Sequence, residues 1–200
     1  KSVAQPIRFK DLLTSGVFIF AILTLFAVRF ANTMINPSFP LVIQEIIKIP
    51  SKLNSVTGGI MAGAGLAGAV TAGLLGYLGD KFGHHRVLIF CSVGVAVTAT
   101  AHAVAHTIPI LTIVHLFFGM TIAGILPSLN SIIQRTTDQR NLGKAYGIST
   151  SISMLGLAVG PLVGGYLAGR FGVRIPFLAA GICHVIVTII VSRWLARLRK

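Results

Sequence analysis

"GYLGDKFG", Gly76–Gly83, returns 89 residues later as "GYLAGRFG", Gly165–Gly172. Each copy closes a long apolar run with an aromatic pair, a basic residue and a final glycine. A second pair, "NPSFP" from Asn36 and "LPSLN" from Leu126, recurs at a spacing of 90 residues. Three apolar runs separate the members of each pair. If those runs cross a bilayer, the odd number of crossings turns the second copy upside down, and the chain reads as two inverted three-helix repeats. Chance similarity between glycine-rich helix ends is the competing account.

Composition makes the runs membrane spans. The chain has 200 residues, of which 54% are hydrophobic and 10% charged, and its mean hydropathy is +0.86. A soluble domain carries about 25% charged residues. No Lys, Arg, Asp or Glu occurs between Lys52 and Asp80, between Arg86 and Arg135, or between Lys144 and Arg170. Such stretches exceed the roughly 20 apolar residues that cross a bilayer as a helix. Inside lipid the backbone satisfies itself as helix or closed barrel, and the short alternating segments of a barrel are absent. The fold class is therefore an all-α integral membrane bundle. Six helices are expected, at Leu13–Ile43, Leu53–Gly79, Arg86–Ala105, Ile108–Gln134, Gly143–Ala168 and Ile175–Leu195. Residues 1–12 read as a cytoplasmic lead or the end of a longer loop, 13–195 as the bundle, and 196–200 as a basic tail. No charged n-region with a cleavage site precedes the first span, and a chain opening at Lys1 rather than Met reads as part of a longer one.

The net charge of +13 would suggest nucleic acid in a soluble protein. Here the basic residues sit between the spans and record topology, so no nucleic-acid partner is expected. Twelve of them fall on the side of Lys1, Lys81, Arg86, Arg135, Arg140, Lys144 and Arg193; four, Lys48, Lys52, Arg170 and Arg174, fall on the other. The positive-inside rule then puts both termini in the cytoplasm. Cys91 and Cys183 lie within spans, show no metal spacing and imply no disulfide framework. His102 and His106 are four apart but lack a third ligand, so neither a metal nor another cofactor is expected.

Small residues recur every fourth position: Ala64, Gly68, Ala72 and Gly76 in the second helix, Gly156, Gly160, Gly164 and Ala168 in the fifth. That spacing lets helix backbones approach. The first helix carries a polar stripe instead. Arg29, Asn32, Thr33 and Asn36 follow helical i, i+3, i+4, i+7 spacing, so they share one face. A charge at the middle of a span is costly, about 2.5–3.5 kcal/mol on insertion scales, and marks function or water. The plain alternative is a snorkelling arginine with asparagines joining helices.

Two segments carry a family resemblance. "GYLGDKFGHHRVL" resembles the loop between the second and third helices of the major facilitator superfamily, Gly-x-Leu-x-Asp-Arg/Lys-x-Gly-Arg/Lys-Arg/Lys. Gly76, Leu78, Asp80, Lys81 and Gly83 match it, while His84 and His85 replace basic positions and leave Arg86 to supply charge. "GLAVGPLVGG" resembles that family's antiporter motif in the fifth helix, at Gly156, Gly160, Pro161, Gly164 and Gly165. The resemblance spans about Leu12 to Arg193 and implies one six-helix half of a two-half transporter. It implies a small-molecule substrate, a bilayer, a proton as coupling ion, and a second six-helix half, with the first helix of each half lining a central cavity. His115 and Leu116 stand where the fourth helix of an N-terminal half carries an arginine, and "GILPSLNSII" looks like a C-terminal half. Asn130 beside Pro127 is a further cavity candidate; His115 and His184 read either as proton relays or as packed, hydrogen-bonded side chains.

The resulting expectation is proton-coupled efflux of drug-like molecules through a bacterial inner membrane, with Asp80 at a cytoplasmic gate. A small organic anion as substrate, suggested by Arg29, and a non-transporting half-length membrane protein are the alternatives. An intramembrane enzyme is disfavoured: no Gly-x-Ser-Gly or His-Glu-x-x-His segment is present.

Overall fold

Prolines decide where the spans break. The structure, a computed structural model, describes residues 15–47 and 49–198. The expected lead at 1–12 and the last two residues of the tail lie outside the described residues. The first span is not one helix but two, α1 (Gly16–Met34) and α2 (Ser38–Ile47). Pro37 has no N–H to continue the ladder, and its ring opposes a carbonyl one turn back, so α1 stops short of it. The fourth span breaks likewise into α5 (Ile108–Ile122) and α6 (Ile125–Thr136), where Gly124 precedes Pro127. The remaining spans are single helices: α3 (Leu53–Phe82), α4 (His84–Val104), α7 (Leu142–Phe171) and α8 (Ile175–Leu198). All six spans are long and apolar enough to cross a membrane, and no strand occurs among the described residues.

The repeat extends well beyond the quoted peptides. Short 3-10 turns at Pro50–Lys52 and Gln139–Asn141 are offset by the same 89 residues, and so are both ends of α3 and α7, each 30 residues long. Gly83 and Gly172 then end these helices at φ of 98° and 110°. Those left-handed values suit glycine, which has no Cβ to collide with the following carbonyl. The broken spans, α1–α2 and α5–α6, occupy equivalent places in the two units.

Packing obeys the same exchange. The first span packs chiefly on the fifth, and α5, the first half of the fourth span, packs chiefly on the second, while α4 packs on α8. In the first pair, a Cβ at Gly156 would lie 2.8 Å from the Phe26 carbonyl oxygen, and one at Gly160 would lie 2.7 Å from that of Phe30. In the second pair, a Cβ at Gly68 would lie 2.9 Å from the Gly119 carbonyl oxygen. Backbone meets backbone at both places, which no larger residue permits. Much of the rest of α3 and α7 is uncovered: Val70 is 81% exposed and Leu162 73%. Such apolar faces belong against lipid or another helical unit.

Candidate functional site

Three polar clusters join the helices. The first lies at the turn between α3 and α4. Asp80 occupies the last turn of α3, and Gly83 reverses the chain so that His84 opens α4 directly above it. His84 Nε2 donates to Asp80 Oδ1 at 3.1 Å, and Arg135 Nη2 from the end of α6 stands 3.6 Å from the same oxygen. The His84 ring is buried where a Cβ on Gly79 would collide with it, so the small residue makes room for the partner. Arg86, a candidate to supply part of the missing charge, is exposed on the first turn of α4. Arg135 was legible only as a topology residue, because nothing local connects it to Asp80. Lys81 Nζ lies 5.4 Å from the Phe82 ring centroid and 6.0 Å from that of Tyr77. Gly76 meets open space.

The second cluster surrounds Arg29. Its Nε donates to Ser153 Oγ on α7 at 3.1 Å, and no carboxylate pairs with it among the described residues. Arg29 and Asn130 line one cavity of about 160 Å3 with Tyr146, Ser149, Thr150 and Ser153. The Tyr146 hydroxyl donates to the Asn130 carbonyl at 3.4 Å.

The residues of the polar stripe meet different neighbours within this six-helix unit. Asn32 turns to α8, where its Oδ1 accepts from His184 Nε2 at 2.9 Å. Thr33 is buried at the contact with α7, its hydroxyl donating to the Arg29 carbonyl at 2.9 Å. Asn36 lies past the end of α1 and lines a different cavity, of about 480 Å3, with His115, Phe39 and Phe118. Helical spacing places these residues within an arc wide enough to meet three neighbours, and the neighbours divide them.

The antiporter-like segment divides similarly. Gly156, Gly160 and Gly164 are buried against α1, whereas Gly165 meets open space. The helix continues through Pro161 without interruption.

The third cluster closes the opposite end of the bundle. Arg174 Nη1 donates to the carbonyls of Ala103 and Ala105 at 2.9 and 2.8 Å, and its Nε stands 3.4 Å from Glu45 Oε2. From sequence Arg174 was a topology residue; here it satisfies the end of α4.

Comparison with known proteins agrees with this architecture. A chain 27% identical over 183 residues is the multi-drug resistance efflux pump PmrA of Streptococcus pneumoniae; the match covers 90% of the present chain and 46% of that relative. The multidrug resistance protein MdtG of Proteus mirabilis is 30% identical over 165 residues, covering 80% and 41%. The chain thus spans less than half the length of these relatives. The crystal structure of the POT family transporter PepTSo superposes with a TM-score of 0.77 at 20% identity, over 92% of this chain and 37% of that one. The model of the Major Facilitator Superfamily matches residues 21–200. With six spans in two inverted units and a family match over nearly its whole length, this chain belongs to the Major Facilitator Superfamily.

Proposed function

We propose that this chain is one six-helix half, the C-terminal one, of a secondary transporter that exports drug-like small molecules in exchange for protons. The observation that carries the reading is the inverted repeat with broken first spans. Cavities at such breaks, near mid-membrane, suit a site reached alternately from either side as two bundles rock. The multidrug names of the relatives support the substrate class. The second half would face the uncovered sides of α3 and α7, on the same chain. Both termini then lie in the cytoplasm and the protein spans the inner membrane.

In this mechanism Arg29 and Asn130 contact substrate from the smaller cavity and Asn36 from the larger one. Asp80 works as a latch: its bonds to His84 and Arg135 join three helix ends, and tilting of the bundle strains them. Gly156, Gly160 and Gly164 keep α1 and α7 moving as one body. A second reading, a small organic anion as substrate, is favoured by Arg29 lacking a carboxylate partner among the described residues. Guanidinium is permanently charged and pairs with planar anions.

The test is flux in proteoliposomes holding the full-length transporter. An imposed pH gradient is expected to drive a cationic dye across the bilayer, and a protonophore to abolish this. Flux of an organic anion but no cation would select the second reading. No gradient-dependent flux of either would reject the transporter assignment.

A further inference from the structure

The larger cavity, beside the break between α1 and α2, contains a polar group that the proposed mechanism leaves unused. His115 on α5 is 8% exposed and lines this cavity. Its Nδ1 lies 2.9 Å from Nε2 of His102 on α4, which is fully buried. His102 Nδ1 in turn lies 2.6 Å from the carbonyl oxygen of Thr98.

Hydrogen-bond direction along this row is determined by its last member. A carbonyl only accepts, so His102 Nδ1 carries a hydrogen. In the neutral pair His102 Nε2 is then a lone pair, and it accepts from His115 Nδ1–H. The same logic leaves His115 Nε2 as a lone pair. That nitrogen has no hydrogen-bond partner among the described residues. The rings are held in place by aromatic contacts: His115 stacks on Phe39 at 4.0 Å, and His102 on Phe177 at 5.3 Å. The row therefore presents a fixed acceptor, backed by a second imidazole, to a cavity whose other walls are the Asn36 amide and apolar side chains, among them Phe39, Phe118, Met61 and Ile122.

We propose that this cavity binds an aromatic, predominantly apolar molecule carrying one hydrogen-bond donor, such as an amine or hydroxyl, which His115 Nε2 accepts. The size fits: about 480 Å3 admits a fused two-ring molecule and lies in the range of small-molecule sites. The chemistry also fits. A mostly apolar wall favours a ring system, and leaving the fixed His115 acceptor unmatched penalises a ligand without a donor. This site differs from the Arg29 cavity, whose guanidinium and hydroxyls suit an anion. The inference rests on the reading of the chain as a unit that binds small molecules, and it adds the chemical class taken at one cavity.

The test uses two probes of equal shape, 1-naphthylamine and 1-methylnaphthalene, titrated into the full-length transporter in lipid nanodiscs, with empty discs subtracted. The unaltered chain is expected to prefer the amine about tenfold, the size expected from one unmatched buried acceptor. His115→Phe should bind both probes equally, at the affinity of the hydrocarbon. Equal binding by the unaltered chain, binding of neither probe, or a preference that survives in His115→Phe would overturn the proposal. A measurement on the unaltered chain guards against a misfolded variant. With 15N-imidazole labels, the amine should shift the His115 Nε2 resonance and leave His184 unmoved; saturating binding without that shift also overturns it. Binding is read here without transport, so this site and the transporter assignment fail by separate experiments.

Discussion

Glu45 Oε2 stands 3.4 Å from Arg174 Nε, and 90 residues beyond Glu45 its repeat counterpart Arg135 stands 3.6 Å from Asp80 Oδ1. Each pair ties the end of a broken span to a neighbouring helix, one at either end of the bundle, with the signs of charge exchanged. The pairs are unequal in support. Arg174 also holds two backbone carbonyls and is only 23% exposed, whereas Arg135 is 63% exposed. Arg174→Ala should lower stability by about 1–3 kcal/mol, since it strips donors from the end of α4. Glu45→Gln should cost little, because half-exposed ion pairs contribute weakly. Thermal unfolding in detergent separates the two; equal losses would assign the clamp to the carboxylate instead.

Asp80 is 73% exposed, so its bonds contribute little to folding. Asp80→Asn is expected to leave expression and melting temperature near those of the unaltered protein, while slowing transport by the full-length chain at least tenfold. Arg135→Ala should slow it less, because His84 remains as a partner. Normal rates in Asp80→Asn would remove this residue from the mechanism.

Two neighbouring glycines of one motif should respond oppositely. A Cβ at Gly160 would press on the Phe30 carbonyl oxygen, while Gly165 faces open space. Gly160→Ala is expected to destabilise by about 1–3 kcal/mol through overpacking. Gly165→Ala should be neutral or stabilising by up to about 1 kcal/mol, since alanine is the better helix former. Gly160→Leu should block assembly, visible as aggregation in size-exclusion chromatography. A well-assembled Gly160→Leu protein would place that face against lipid.

Topology can be read chemically. In a background with Cys91 and Cys183 replaced, a cysteine at position 52 should react with an impermeant maleimide added to intact cells. A cysteine at 140 should react only after lysis. The opposite pattern would invert the assignment of sides.

Arg29 distinguishes substrate classes. If an anion is bound, Arg29→Lys should raise its KM several-fold and Arg29→Ala more, because only guanidinium offers a rigid pair of donors. Cation transport should then change little. Arg29→Leu with unchanged transport of both and a higher melting temperature would make Arg29 a packing residue.

Much of this architecture is present in local sequence. Uncharged runs delimit the spans, and "GYLGDKFG" against "GYLAGRFG" carries the inverted repeat. The four-residue spacing of Gly156, Gly160 and Gly164 marks the contact with α1. Span breaks were signalled by Pro37 and Pro127, yet apolar length alone hid them. Side-chain pairing was not legible. Asn32 meets His184 across 152 residues and His102 meets His115 rather than His106, its neighbour one turn along. Periodicity gives the face a residue occupies, but the partner waiting there depends on how distant helices are arranged. The unused Nε2 of His115 became visible only once both histidines had been placed.

The pairing of Asn32 with His184 has a consequence during synthesis. At about 5–20 residues per second, the 152 residues separating them take roughly 8–30 s to appear. Ser153, which receives Arg29, lies 124 residues downstream of it and arrives only slightly earlier. Until those residues are made, the first span carries a guanidinium and an amide that lack their final partners. A ribosome stalled before α7 should leave it free to slip back toward the cytoplasm.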